Sequence, residues 1–142
     1  MNKRIVTIPI YKANIYYSNG SWRDMLVWLK EVYKPGFSIS EYGKEIELEY
    51  NNGTTGRVFV VTDNSGTETD YWFWSGEKVG DDSGYCGWIA HECLHLVTEI
   101  MRQIETPLNG ETEEIYAYLL EYIVTEILSV DWAKSNKGDS NE

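Results

Sequence analysis

The sequence predicts an α+β fold, an antiparallel β-meander with N-terminal strands packed on helices. Three observations predict it. Short runs with period-two alternation, bounded by Asn-Gly and Gly-containing turns, read as strands. Two long segments after residue 84 carry apolar residues at helical spacing. The segments come in the order strands, helix, strands, two helices, without the strict alternation of a parallel α/β fold. With 142 residues and 42% hydrophobic content, the chain is expected to form one domain, residues 1–134, followed by a polar tail, 135–142.

The elements follow in order. Ile5 to Ile10 and Ala13 to Ser18 read as strands, broken at Pro9 and Lys12, and Asn19-Gly20 is a turn signal. Ser21-Trp22-Arg23-Asp24 reads as a capping box. From Trp22 to Tyr33 the residues Met25, Leu26, Trp28, Leu29 and Val32 recur at helical spacing, and Pro35-Gly36 stops that helix. Glu45 to Tyr50 sets Ile46, Leu48 and Tyr50 against three glutamates, the pattern of a half-solvated strand. Asn52-Gly53 is a hairpin turn leading to a partner strand at Gly56 to Thr62. Tyr71-Trp72-Phe73-Trp74 is the third strand of the expected meander, with an edge available to an extended peptide through strand addition. A polar loop, Gly76 to Gly84, offers Asp81, Asp82 and Ser83 as helix caps. Tyr85 to Glu105 is one helix, Thr106 to Gly110 the break, and Glu111 to Val130 a second helix.

The formal net charge is -11 and the pI about 4.6. That balance argues against a nucleic-acid partner, which would call for Lys and Arg gathered on one face. It argues equally against docking on an anionic membrane, and an acidic surface serves solubility. No segment has the length of a membrane span, and the apolar run from Ile5 to Ile10 is too short for a signal peptide, so a cytoplasmic protein is expected. Cys86 and Cys93 stand two helical turns apart, about 10 Å of rise and beyond disulfide reach. They read as free thiols packed in the core.

The residues that point to chemistry are His91-Glu92-Cys93-Leu94-His95. Residues four apart share one face of a helix, so two imidazoles at that spacing reach one ion, while the Glu between them lies about 100° around the helix, beside the ion. This arrangement suits metal-assisted hydrolysis, with the carboxylate as general base. Both histidines of the chain fall in the motif. On a helical wheel, Cys86, Ile89, Ala90, Cys93, Val97, Ile100 and Ile104 form the apolar arc, and His91, His95, Glu92, Glu99 and Arg102 the opposite one. The cysteines therefore point away from the histidines. A zinc site usually has a third protein ligand, and the second helix offers Glu113, Glu114, Glu121 and Glu126. Glu114, Ala117, Tyr118 and Glu121 share a face, with Leu119, Leu120, Ile123 and Ile127 on the apolar one. Glu114 is the first candidate and Glu121 the reserve.

On these residues, His91 to Leu120 resembles the zinc metallopeptidase core of the gluzincin type in a minimal form, where a second helix supplies a Glu as third ligand. It is similar also to small phage-encoded proteins in which such a helix is followed by an acidic-acidic-x-x-Ala-Tyr-Leu segment, here Glu113-Glu114-Ile115-Tyr116-Ala117-Tyr118-Leu119. The resemblance covers the last third of the chain. It implies a zincin-like fold and one Zn²⁺ held by His91, His95 and Glu114. It also implies Glu92 as the base that deprotonates the attacking water, a peptide or protein substrate, and a setting in host cytoplasm or virion. The chain departs from larger peptidases in having no further His to steady a tetrahedral intermediate, a role open to Tyr118 or Tyr122. The alternative is a non-catalytic protein in which zinc clamps the helices and the acidic or aromatic surface makes the contacts.

Overall fold

The computed structural model describes residues 2–33, 56–62, 69–76 and 82–135. It contains β1 (Asn2–Ile8), a 3-10 turn (Pro9–Tyr11), β2 (Ala13–Asn19), α1 (Trp22–Val32), β3 (Gly56–Thr62), β4 (Thr69–Ser75), α2 (Asp82–Gln103) and α3 (Glu113–Ser135). The mixed α and β content agrees with the expected class. The Glu45 to Tyr50 strand, the Asn52-Gly53 turn and most of the Gly76 to Gly84 loop lie outside the described residues.

The sheet order is β1-β2-β4-β3. β1 pairs antiparallel with β2, and β3 antiparallel with β4, but β2 and β4 run parallel. This corrects the simple meander: its β3–β4 leg is present, and β4 then joins the N-terminal hairpin. It also corrects the expected edge at Tyr71 to Trp74. Tyr71, Trp72, Phe73 and Trp74 are all buried. A strand apolar on both faces is stable only with both faces covered, and β4 accordingly lies inside the sheet.

Alternation along the strands divides the core in two. Ile15, Tyr17, Tyr71 and Phe73 face α2 and α3, joining Ile89, Cys93, Leu96, Ile100, Leu119 and Ile123. Trp72 and Trp74 face α1, joining Met25, Trp28 and Leu29. On that second face Trp72 stacks on Tyr16 with centroids 4.6 Å apart. Its indole N–H donates to the Tyr33 hydroxyl over 2.9 Å, which donates to Asp70 Oδ2 over 2.7 Å. Burial and the Asp70 carboxylate push the Tyr33 hydroxyl well above its ordinary pKa.

Local chemistry sets the ends. β1 stops at Ile8 because Pro9, which has no N–H, opens the 3-10 turn, closed by Lys12 at φ 49°. Ser21 Oγ accepts from the Arg23 N–H over 3.1 Å and caps α1. α2 ends in a Schellman motif: Thr106 N–H donates to the Met101 carbonyl and Glu105 N–H to that of Arg102, with Glu105 at φ 55°. Asn109 and Thr112 exchange side-chain to backbone hydrogen bonds ahead of α3. The Tyr116 hydroxyl donates to the Thr106 carbonyl over 2.7 Å, fixing the start of α3 at the end of α2. Arg4 pairs with Glu126 and bonds Ser129 Oγ, tying the far half of α3 to β1. α3 therefore covers the β1 side of the sheet while α2 covers β3 and β4. Among the described residues no helix is long and apolar enough to cross a membrane.

Candidate metal centre

α2 carries His91, Glu92 and His95 across its middle turns. Its buried stripe is Tyr85, Ile89, Cys93, Leu96, Val97, Ile100 and Met101. The wheel placed Ile89, Cys93, Val97 and Ile100 correctly, but Ile104 is 39% exposed because α2 has already ended there. Leu96 and Met101, outside the apolar arc of the wheel, are fully buried in the same core as the sheet and α3. Both histidines are exposed, and Glu92 is half-buried between them and the core.

The two imidazoles converge. His91 Nε2 and His95 Nε2 are 3.3 Å apart, with the rings at 78°. Two nitrogens bound to one zinc ion at about 2.0–2.1 Å and a tetrahedral angle stand about 3.3–3.4 Å apart. The pair fits that edge without rearrangement. The same separation suits an N–H···N bond between complementary tautomers, so an ion and a shared proton compete for this point. The ligand atoms of His91, Glu92 and His95 all lie within 4.8 Å of one another, as a cation and an adjacent carboxylate require. Thr98 Oγ1 donates to the Leu94 carbonyl over 2.8 Å on the turn beside His95. Arg102 pairs with Glu99 on the next turn.

Cys93 lies on the core side of the helix and is fully buried. Burial, with the Glu92 carboxylate adding to it, pushes its thiol up to about 12. It is a packing residue here, as the wheel anticipated.

The structure brings His91, Glu92 and His95 together and leaves Glu114 out of their cluster. Glu114 is exposed in the first turn of α3, where a carboxylate interacts favourably with the helix dipole whatever else it does. Glu121 is exposed as well. Tyr122 turns toward β1, its hydroxyl 3.5 Å from the Thr7 carbonyl oxygen, and Tyr118 is 68% exposed.

One neighbour of the centre is not singled out by the sequence reading. Trp88, Glu92, His95 and Glu99 fall on one stripe of α2, spaced as i, i+4, i+7 and i+11. The Trp88 ring packs on Phe73, centroids 5.9 Å apart, and over Gly56 at the start of β3. A Cβ at Gly56 would overlap that indole and lie 2.7 Å from the Trp74 carbonyl oxygen, so glycine is needed there for the close approach. The spacing was legible, but only the partner strand shows which side of the molecule the stripe faces.

Compared with protein-family models, with curated proteins and with solved structures, the chain matches none of them.

Proposed function

We propose that this protein is a zinc-dependent hydrolase of the zincin type acting on peptide bonds, with His91 and His95 as metal ligands and Glu92 as general base. The observation that supports it most is the 3.3 Å approach of the two Nε2 atoms, a tetrahedral edge, with a carboxylate beside them. Zinc held there would supply a Lewis acid that acidifies water and polarises a carbonyl. The Glu92 carboxylate takes the proton from the attacking water and returns it to the leaving amine. Its half-buried position limits competing hydration of the carboxylate while leaving it open toward the histidines. His91 and His95 project from a helix whose opposite stripe is fixed in the core, so their spacing is held by the fold.

The second reading, zinc bound without turnover, is favoured by one observation: both histidines are exposed on the outer side of α2. Glu92→Gln separates the two. Zinc-loaded wild type and Glu92→Gln are compared on a fluorogenic protein substrate. The hydrolase reading expects retained zinc and a loss of hydrolysis of about 10²-fold or more. An inactive wild type, or a variant as active as wild type, decides for the second reading.

A further inference from the structure

We infer that the metal centre of this chain is not closed by the helix that follows it: α3 supplies no ligand, and neither Glu114 nor Glu121 coordinates the ion held by His91 and His95. The inference rests on the metal reading above and departs from the ligand set that the gluzincin resemblance implies.

The Tyr116 hydroxyl on the Thr106 carbonyl pins the start of α3 to the end of α2, and the two helices pack against each other from there. Their axes run in opposite directions away from the Ile104 to Thr112 connection. His95 lies about 12 Å of helical rise before Gln103, the last residue of α2. Glu114 is the second residue of α3 and so sits at the connection end. Side chains in a helix lean toward its N-terminus. In α2 that carries the His95 imidazole away from the connection, and in α3 it carries the Glu114 carboxylate toward it. The lean therefore widens the axial gap.

Glu121 stands nearly level with His95, but on the wrong side. The stripe that carries His95 is that of Trp88, and Trp88 packs over Gly56 of β3. α3 covers the opposite margin of the sheet, tied to β1 through Arg4, Glu126, Ser129 and Tyr122. Between the side of α2 facing α3 and the histidines lies an outward arc with Leu94, 49% exposed, and Thr98. A carboxylate from α3 would have to pass over both. The cluster around the ion position accordingly contains His91, Glu92 and His95 and no residue of α3. The acids of α3 that the sequence aligns with a ligand position are solvated groups on a structural helix.

The test is zinc affinity of the full chain, measured by competition with a chromophoric chelator, for wild type, Glu114→Gln, Glu121→Gln and His95→Ala. Far-ultraviolet circular dichroism confirms folding, which exposed Glu→Gln changes leave intact. The cobalt(II) spectrum of each variant reads the ligand set independently of affinity. The inference expects both Glu variants within tenfold of wild type with unchanged cobalt bands, and His95→Ala weakened by at least a hundredfold. A loss of tenfold or more in either Glu variant, or an altered cobalt spectrum, overturns the inference while leaving the metal reading intact. A wild type that binds neither metal overturns the metal reading itself and the inference with it.

Discussion

His91 and His95 hold their Nε2 atoms 3.3 Å apart on the exposed side of α2, while Cys93 between them is fully buried on the core side. One turn of helix thus presents the proposed metal-binding edge outward and anchors it inward. The rigidity of the edge comes from what lies behind it: Ile89, Leu96, Val97 and Ile100 packed on β4 and α3.

The burial of Cys93 gives a reactivity contrast. The Cys86 thiol is half-buried and Cys93 is enclosed. In native protein at pH 8, iodoacetamide should modify Cys86 alone, and both thiols after urea unfolding, as read by intact mass. Rapid native labelling of Cys93 would mean that the core side of α2 opens.

Stability should fall in alkali. Burial raises the Cys93 thiol to about 12, and burial with the Glu99 and Asp70 carboxylates raises the Tyr71 hydroxyl to about 12. In the unfolded chain these groups ionise near their ordinary values, about 8.5 and 10. Above pH 9 the unfolded chain thus holds fewer protons than the fold, and the free energy of unfolding declines as pH rises toward 12. Below pH 8 the same groups contribute no slope. Urea unfolding at pH 7, 9 and 10.5 checks the sign, and a flat profile contradicts it.

Removing the Tyr33 hydroxyl should be costly for its size. It accepts from the Trp72 indole and donates to Asp70 in a buried aromatic cluster. Tyr33→Phe leaves the indole N–H without that acceptor, a loss of about 1–3 kcal/mol. Urea midpoints measure it, and a change under about 0.5 kcal/mol, the usual scatter of surface changes, contradicts the assigned hydrogen bonds.

These relationships were only partly legible in the sequence. The start of α1, the β3 and β4 segments and the two long helices follow from local signals: Ser21, short β-branched and aromatic runs between turns, and 3.6-residue spacing. The wheel correctly set the histidines opposite Ile89 and Cys93. What local pattern could not carry was pairing. Nothing in Tyr71-Trp72-Phe73-Trp74 alone distinguishes a meander edge from an interior strand, because aromatic residues on both faces fit a buried strand of either sort. The parallel partnership with β2 depends on the crossover through α1. Where Glu114 sits relative to the histidines was hidden for a similar reason. Its stripe on α3 was read correctly, but the axial offset of the hairpin and the side of α2 facing β3 are properties of packing. The Schellman end of α2 was also hidden, because Glu105 occupies a position that glycine usually marks.

That last feature makes a stabilising prediction. Glu105 holds φ 55°, a conformation that costs an L-residue about 1–2 kcal/mol and glycine little. Glu105→Gly should raise stability by about 0.5–1 kcal/mol after the added chain entropy of glycine is subtracted. Thermal unfolding reads this as a rise of a few degrees, and a lower midpoint contradicts the left-handed cap.

The most direct test of the account is elemental analysis of zinc in purified protein after saturation and exhaustive dialysis, for wild type beside the double variant His91→Ala/His95→Ala. The account predicts about one zinc per wild-type chain and none in the double variant. Wild type without zinc, or a double variant that retains it, would contradict the claim that these two imidazoles form the metal centre.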